Sequence, residues 1–148
     1  MKSRVSSKEL SKNTIHAKER QLDYNIYMAD HNLEGKVLAD YIVKIIKDKK
    51  GRDVKRINVK KLTILTEYLV ISTVEVAEQG RAIYHEIEKS LKQKGKWHLA
   101  IERDTSDEWI VIDYGSVIVH LMTEEKRHYY DLEDIFKSIR RAESLKAS

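Results

Sequence analysis

The run Tyr68-Leu69-Val70-Ile71 constrains the fold more than any other stretch of this chain. Successive side chains of a strand point to opposite faces, so four large apolar residues in a row cannot alternate between core and solvent. A strand from Glu67 to Thr73 is therefore expected to be buried on both faces, inside a sheet that carries covering layers. A chain of 148 residues suits one such domain.

The neighbouring patterns supply the rest of the layers. Leu33, Val37, Leu38, Tyr41, Ile42, Ile45 and Ile46 recur at three- and four-residue spacing, which predicts a helix from Asn32 with one apolar face. Lys47, Lys49 and Lys50 suit the negative end of its dipole, and Gly51 stops it. Val54 to Val59 reads as a strand. A second helix is expected from Glu75 to Lys94, with Ser72 and Glu75 at capping-box spacing and Val76, Ile83, Ile87 and Leu91 on its apolar face. Three strands follow: Trp97 to Glu102, Glu108 to Tyr114 and Ser116 to Met122. Trp109, Val111 and Asp113 share one face, Ile110, Ile112 and Tyr114 the other, and Gly115 permits a sharp reversal. Thr123 is expected to cap a last helix bearing Leu132, Ile135, Phe136 and Ile139 on one face.

The expected fold is α+β, a mixed five-stranded sheet flanked by helices. Its domain spans residues 32–140. Residues 1–31 read as a polar extension, disordered or helical, and 141–148 as a frayed tail. The first thirty residues lack the apolar stretch of a secretory signal, and no apolar run reaches membrane-spanning length. Ser3, Ser6, Ser7 and Ser11 among bases resemble an organelle transit segment, against which Glu9, Glu19 and Asp23 count.

Charge is unevenly placed. Residues 44–61 hold nine Lys or Arg against Asp48 and Asp53, a balance of +7. Residues 62–136 hold eight bases against fifteen acids, a balance of −7. A basic segment beside an acidic body implies two different surfaces. Lys49, Lys50, Arg52, Lys55 and Arg56 are candidates for contact with an RNA backbone, competing with a solvated basic surface; no aromatic is interleaved for base stacking.

Catalytic chemistry finds little support. With no cysteine, disulfides and thiolate chemistry are excluded. His16, His31, His85, His98, His120 and His128 are scattered, without metal-ligand spacing, so no metal or cofactor is expected. The five glycines are too far apart for a phosphate loop. Gly115-Ser116 followed by Asp131 and Glu133 superficially resembles a nucleotidyltransferase site, but two acids two positions apart on one helix cannot converge on one ion.

What remains is a polar and aromatic cluster: Trp109, Asp113, Tyr114, Arg127, His128, Tyr129 and Tyr130. Trp, Tyr and Arg are the residue types that anchor interfaces, though some of these must instead be core.

The same cluster carries a family resemblance. Trp109-Ile-Val-Ile-Asp113-Tyr114-Gly115-Ser-Val-Ile-Val-His120-Leu-Met resembles the signature of the ribosomal silencing factor (RsfS/Iojap) family, as do Glu124-Glu125-Lys-Arg127-His-Tyr-Tyr130-Asp-Leu-Glu133, Leu65-Thr-Glu-Tyr68-Leu-Val-Ile-Ser72-Thr and Gln79. The resemblance covers residues 33–137. Ser116, Val74 and Phe136 depart from the usual Asp, Gly and Trp. The resemblance implies a nucleotidyltransferase-like fold without the catalytic motif and no enzymatic activity. It implies binding to the large ribosomal subunit at its universal protein fourteen, blocking small-subunit joining and repressing translation in the cytoplasm. In organellar relatives the implied role shifts toward large-subunit assembly. The partner site is expected at Trp109, Asp113, Tyr114, Gly115, His120, Met122, Glu124, Arg127 and Tyr130, gathered on one end of the sheet. Trp109, Tyr114 and Met122 are expected as apolar anchors, Asp113 and Glu124 as partners of Lys or Arg, and Arg127 as the group that orients acids. A homodimer of the free chain is left open.

Overall fold

A computed structural model describes residues 15–20 and 33–146. Residues 15–20 are a helical segment, and the rest of the expected polar extension lies outside the described residues. From Leu33 onward the elements run α1 (Gly35–Asp48), β1 (Arg52–Asn58), β2 (Tyr68–Val74), α2 (Ala77–Gln93), β3 (Ala100–Arg103), β4 (Trp109–Asp113), β5 (Val117–Thr123), α3 (Glu124–Tyr130) and α4 (Leu132–Lys146).

The five strands form one mixed sheet in the order β1-β2-β5-β4-β3. Only β2 and β5 are parallel, with Ile71 beside His120. Every residue of β2 is buried, as its unbroken apolar run requires. The pairings Trp109 with Met122, Val111 with His120 and Asp113 with Ile118 put all six on one face. Ile110, Ile112, Val117, Val119 and Leu121 occupy the other and join Leu38, Ile42, Ile46, Ile83, Ile87 and Leu91 of α1 and α2 in the core.

Both helices bury the stripe that their spacing implies, with Val37 and Val76 turned to solvent at the margins. Their starts differ from expectation. Ser72 is no cap; its hydroxyl donates to the Arg52 carbonyl at 3.1 Å inside the sheet. Val76 stands at the capping position before α2 and offers no side-chain cap, and the side chain of Gln79 accepts from the Glu75 N–H at 2.6 Å instead. Gln79 also donates to the carbonyls of Lys49 and Lys50, so it fastens the start of α2 to the turn after α1.

Three further expectations are corrected. The third strand begins at Ala100; Leu99 donates its N–H to the Asp113 carbonyl at 2.7 Å, but the side chains of Trp97 and Leu99 are exposed. Thr123 precedes α3 but makes no side-chain cap, and its hydroxyl is buried without a partner among the described residues. The last helix is two helices. Asp131 takes a left-handed conformation, φ 40°, between α3 and α4, and α4 then runs on to Lys146 instead of fraying after Arg140. No residue of α4 is fully buried.

Candidate functional site

α1 and α2 cover one face of the sheet. The other face is covered unevenly. The arginine that links the final helices reaches β1 and β2 on this side: Arg127 donates to Thr73 Oγ1 at 2.9 Å and to the Asp53 carbonyl at 2.6 Å. Its guanidinium also holds the Glu133 carboxylate through two nitrogens. With a side chain only 11% exposed, Arg127 is a structural link. The acid it holds is Glu133 of α4, and it offers little of itself to a partner.

Beyond β2 this face is open. Trp109, Val111 and Asp113 of β4, with Ile118 and His120 of β5, are half-buried and adjacent. Glu102 of β3 stands exposed beside Val111. Together they make a strip with apolar centres, carboxylates at Glu102 and Asp113, and a histidine.

At one end of the strip the aromatic groups pack. The Trp109 ring lies 4.6 Å from Tyr130 and 6.0 Å from His120, centroid to centroid. Trp109 Nε1 donates to His120 Nδ1 at 3.1 Å. Burial pushes the His120 pKa down to about 4, so the ring is neutral at pH 7, with Nδ1 available as acceptor. The unfolded chain binds a proton near pH 6.5 and the folded chain does not. Stability is therefore full above that pH and falls as pH drops from 6.5 toward 4. Between pH 7 and pH 5 this group alone should remove about 2 kcal/mol. Urea midpoints at the two pH values should fall further for the wild type than for His120→Gln. Equal falls would show that His120 is not buried in its neutral form.

At the other end Asp113 holds the reversal. Its Oδ1 accepts from the Gly115 N–H at 2.7 Å, and Gly115 adopts φ +83°, a conformation that favours glycine. Its second carboxylate oxygen has no protein partner among the described residues.

These placements correct several expectations. The nine residues do not gather on one end of the sheet. β4 and β5 are antiparallel, so Trp109 sits by Met122 while Asp113 sits by Ile118, four residues or about 13 Å away along the strand. Tyr114 and Met122 cannot serve as exposed anchors, being 3% and 0% exposed. Tyr114 turns under the helices into the core. Met122 is enclosed on its own face between Thr73 and Trp109. Glu124 is highly exposed and 3.7 Å from Arg52. Ser116 carries no missing charge on the open strip. Its hydroxyl accepts from the Gly35 N–H at 2.9 Å and donates to Glu34, so it caps α1 from outside the helix. Asp131 and Glu133 are not on one helix. Asp131 Oδ1 accepts from the Asp134 N–H at the start of α4, and Glu133 is held by Arg127.

The basic candidates are likewise divided. Arg52 pairs with Glu75 and Glu124, and Arg56 with Asp40 on α1. Lys49 and Lys50 lie in the turn after α1. Val111, Ile118 and Glu102 share this open face and were not among the expected residues, although Val111 was legible from the same alternation as Trp109 and Asp113.

No group of three or more His, Asp or Glu side chains among the described residues is arranged to hold a metal ion. No helix among them is long and apolar enough to cross a membrane.

Comparison with known proteins follows the same outline. A family model described as "Ribosomal silencing factor during starvation" matches residues 32–148. The ribosomal silencing factor of Chromobacterium violaceum is 29% identical over 104 residues, covering 70% of this chain and 85% of that protein. A mouse protein named for mitochondrial assembly of the ribosomal large subunit is 31% identical over 111 residues, covering 73% of this chain and 48% of its own length. A crystal structure of a Chromobacterium violaceum protein superposes with a TM-score of 0.62 at 30% identity, covering 65% of this chain and 80% of that one. With a family match that takes in the whole sheet and the helices on both of its faces, this chain belongs to the ribosomal silencing factor (RsfS/Iojap) family.

Proposed function

We propose that this protein represses translation by binding the large ribosomal subunit, at its universal protein fourteen, and standing where the small subunit would join. It acts by occupying a surface, without catalysis. The observation that carries this reading is the half-open sheet face. Trp109, Val111 and Ile118 give it apolar area, and Glu102 and Asp113 give it negative charge. That combination suits a basic protein partner, whose charge complements the carboxylates. The neutral His120 adds no opposing positive charge.

A second reading has a specific observation behind it. The mouse relative is named for assembly of the mitochondrial large subunit. The same face would then hold the subunit during maturation, and the N-terminal extension would carry the chain into an organelle. The first reading places it in the cytoplasm.

Sedimentation of purified subunits with the full chain tests both. Silencing predicts that the chain travels with the large subunit and that the whole-ribosome peak shrinks as protein is added. An undiminished whole-ribosome peak, with the chain bound, would favour the assembly role. Absence of the chain from the large-subunit fraction would sink both. An open apolar strip also favours self-association of the free chain, so a homodimer that opens on binding belongs to the same proposal.

A further inference from the structure

We infer that the cleft between β1 and α4 is a docking groove for an RNA phosphodiester backbone. This goes beyond the reading above and uses none of the residues of the open strip.

Two adjoining hollows form the cleft. One of about 400 Å³ is lined by Lys55, Ile57, Phe136, Lys137 and Arg140 among others. The next, about 610 Å³, is lined by Lys60, Lys61, Arg140 and Glu143 among others. Asn58 and Arg140 belong to both, so the two are continuous. Lys137 and Arg140 are three apart on α4 and share a helix side.

The two acids of the cleft have cations beside them: Glu133 is held by Arg127, and exposed Glu143 lies 3.8 Å from Lys146. Lys61 and Lys137 have no ion pair among the described residues. Lys55 reaches Asp53 only at 3.9 Å. The lining therefore carries more bases than acids, with Lys55, Lys60 and Lys61 in a line that follows β1 and then the loop, facing Lys137 and Arg140 of α4. Neutralising such cations with phosphates releases counterions from the nucleic acid, which drives association.

The rival occupant is an acidic peptide added to β1, which is an edge strand. The edge is poorly prepared for that. Arg140 donates to the Asn58 carbonyl at 3.2 Å and Arg127 to the Asp53 carbonyl. The register also shifts between Arg52 and Lys55. Strand addition needs those backbone groups free; phosphate binding by side chains does not. The cleft's ring, Phe136, is half-buried, so the contact is to backbone and carries little sequence preference.

The test titrates the full chain against a labelled 20-nucleotide uridine RNA, with polyglutamate as the acidic-peptide probe. Lys61→Glu with Lys137→Glu should weaken RNA binding at least about tenfold at low salt and flatten the salt dependence by about one to one and a half units of slope. A matched charge change on the helical side, Lys44→Glu with Lys89→Glu, should cost less than about threefold. Val111→Glu with Asp113→Lys should leave RNA binding intact, which separates failure of this groove from failure of the protein-partner face. Equal losses in the groove and helical variants would overturn the proposal in favour of net charge alone. Polyglutamate bound as tightly as RNA, and lost with the same groove variant, would overturn it in favour of an acidic protein segment. Absence of RNA binding by the wild type would overturn it outright.

Discussion

Arg127→Met should destabilise the domain by about 2–4 kcal/mol. The guanidinium is almost enclosed and serves three elements at once: Glu133 at the start of α4, Thr73 in β2 and the backbone of Asp53 in β1. Removing it leaves the Glu133 carboxylate, 29% exposed, without its cation. It also leaves the Thr73 hydroxyl without its donor. An uncompensated charge in such a place costs more than the intact pair gains, which is why the loss is expected to be large. Arg127→Lys keeps the charge but not the fork of donors, so it should recover only part of the loss. Urea unfolding followed by circular dichroism measures both. A loss below about 0.5 kcal/mol for the Met variant would mean that solvent already screens these bonds.

The second large effect concerns binding. Val111→Glu with Asp113→Lys should weaken affinity for the large subunit at least about a hundredfold. Both side chains lie on the open face and are half-buried, so neither change opens a cavity in the core. The first puts a charge where apolar contact is expected. The second reverses a charge that faces a basic partner. Co-sedimentation across a protein titration reads the shift, and the Lys44→Glu with Lys89→Glu variant controls for charge. Affinity held within about threefold of wild type would move the binding surface off this face.

Much of this arrangement was legible in the sequence because it is local. The unbroken run from Tyr68 identified an interior strand buried on both faces. The three- and four-residue spacings identified α1 and α2, since each helix buries a stripe against the sheet. The alternation from Trp109 assigned the two faces of β4. Most of the failures share one physical cause: they depend on residues far apart in the chain. Met122 and Tyr114 look like interface residues until strand pairing and the covering helices enclose them. Ser116 looks like a lost surface charge until α1, 81 residues away, places the Gly35 N–H beside it. Arg127 finds its sheet partners 54 and 74 residues back. Asp131 sits in a stretch whose apolar spacing continues through it, so spacing alone could not reveal the break. The cleft of β1 and α4 joins bases on elements about 80 residues apart, and segment-by-segment charge counting splits them.

On the proposed function, the open half of the sheet meets the large subunit where the small subunit would dock. An electron cryomicroscopy map of the full chain on the large subunit tests it most directly. The strip of Trp109, Val111, Asp113, Ile118 and His120 should lie against universal protein fourteen, with the domain overlapping the path of the small subunit. A map with α1 and α2 against the subunit and the strip facing solvent, or with the small subunit's path left clear, would contradict it.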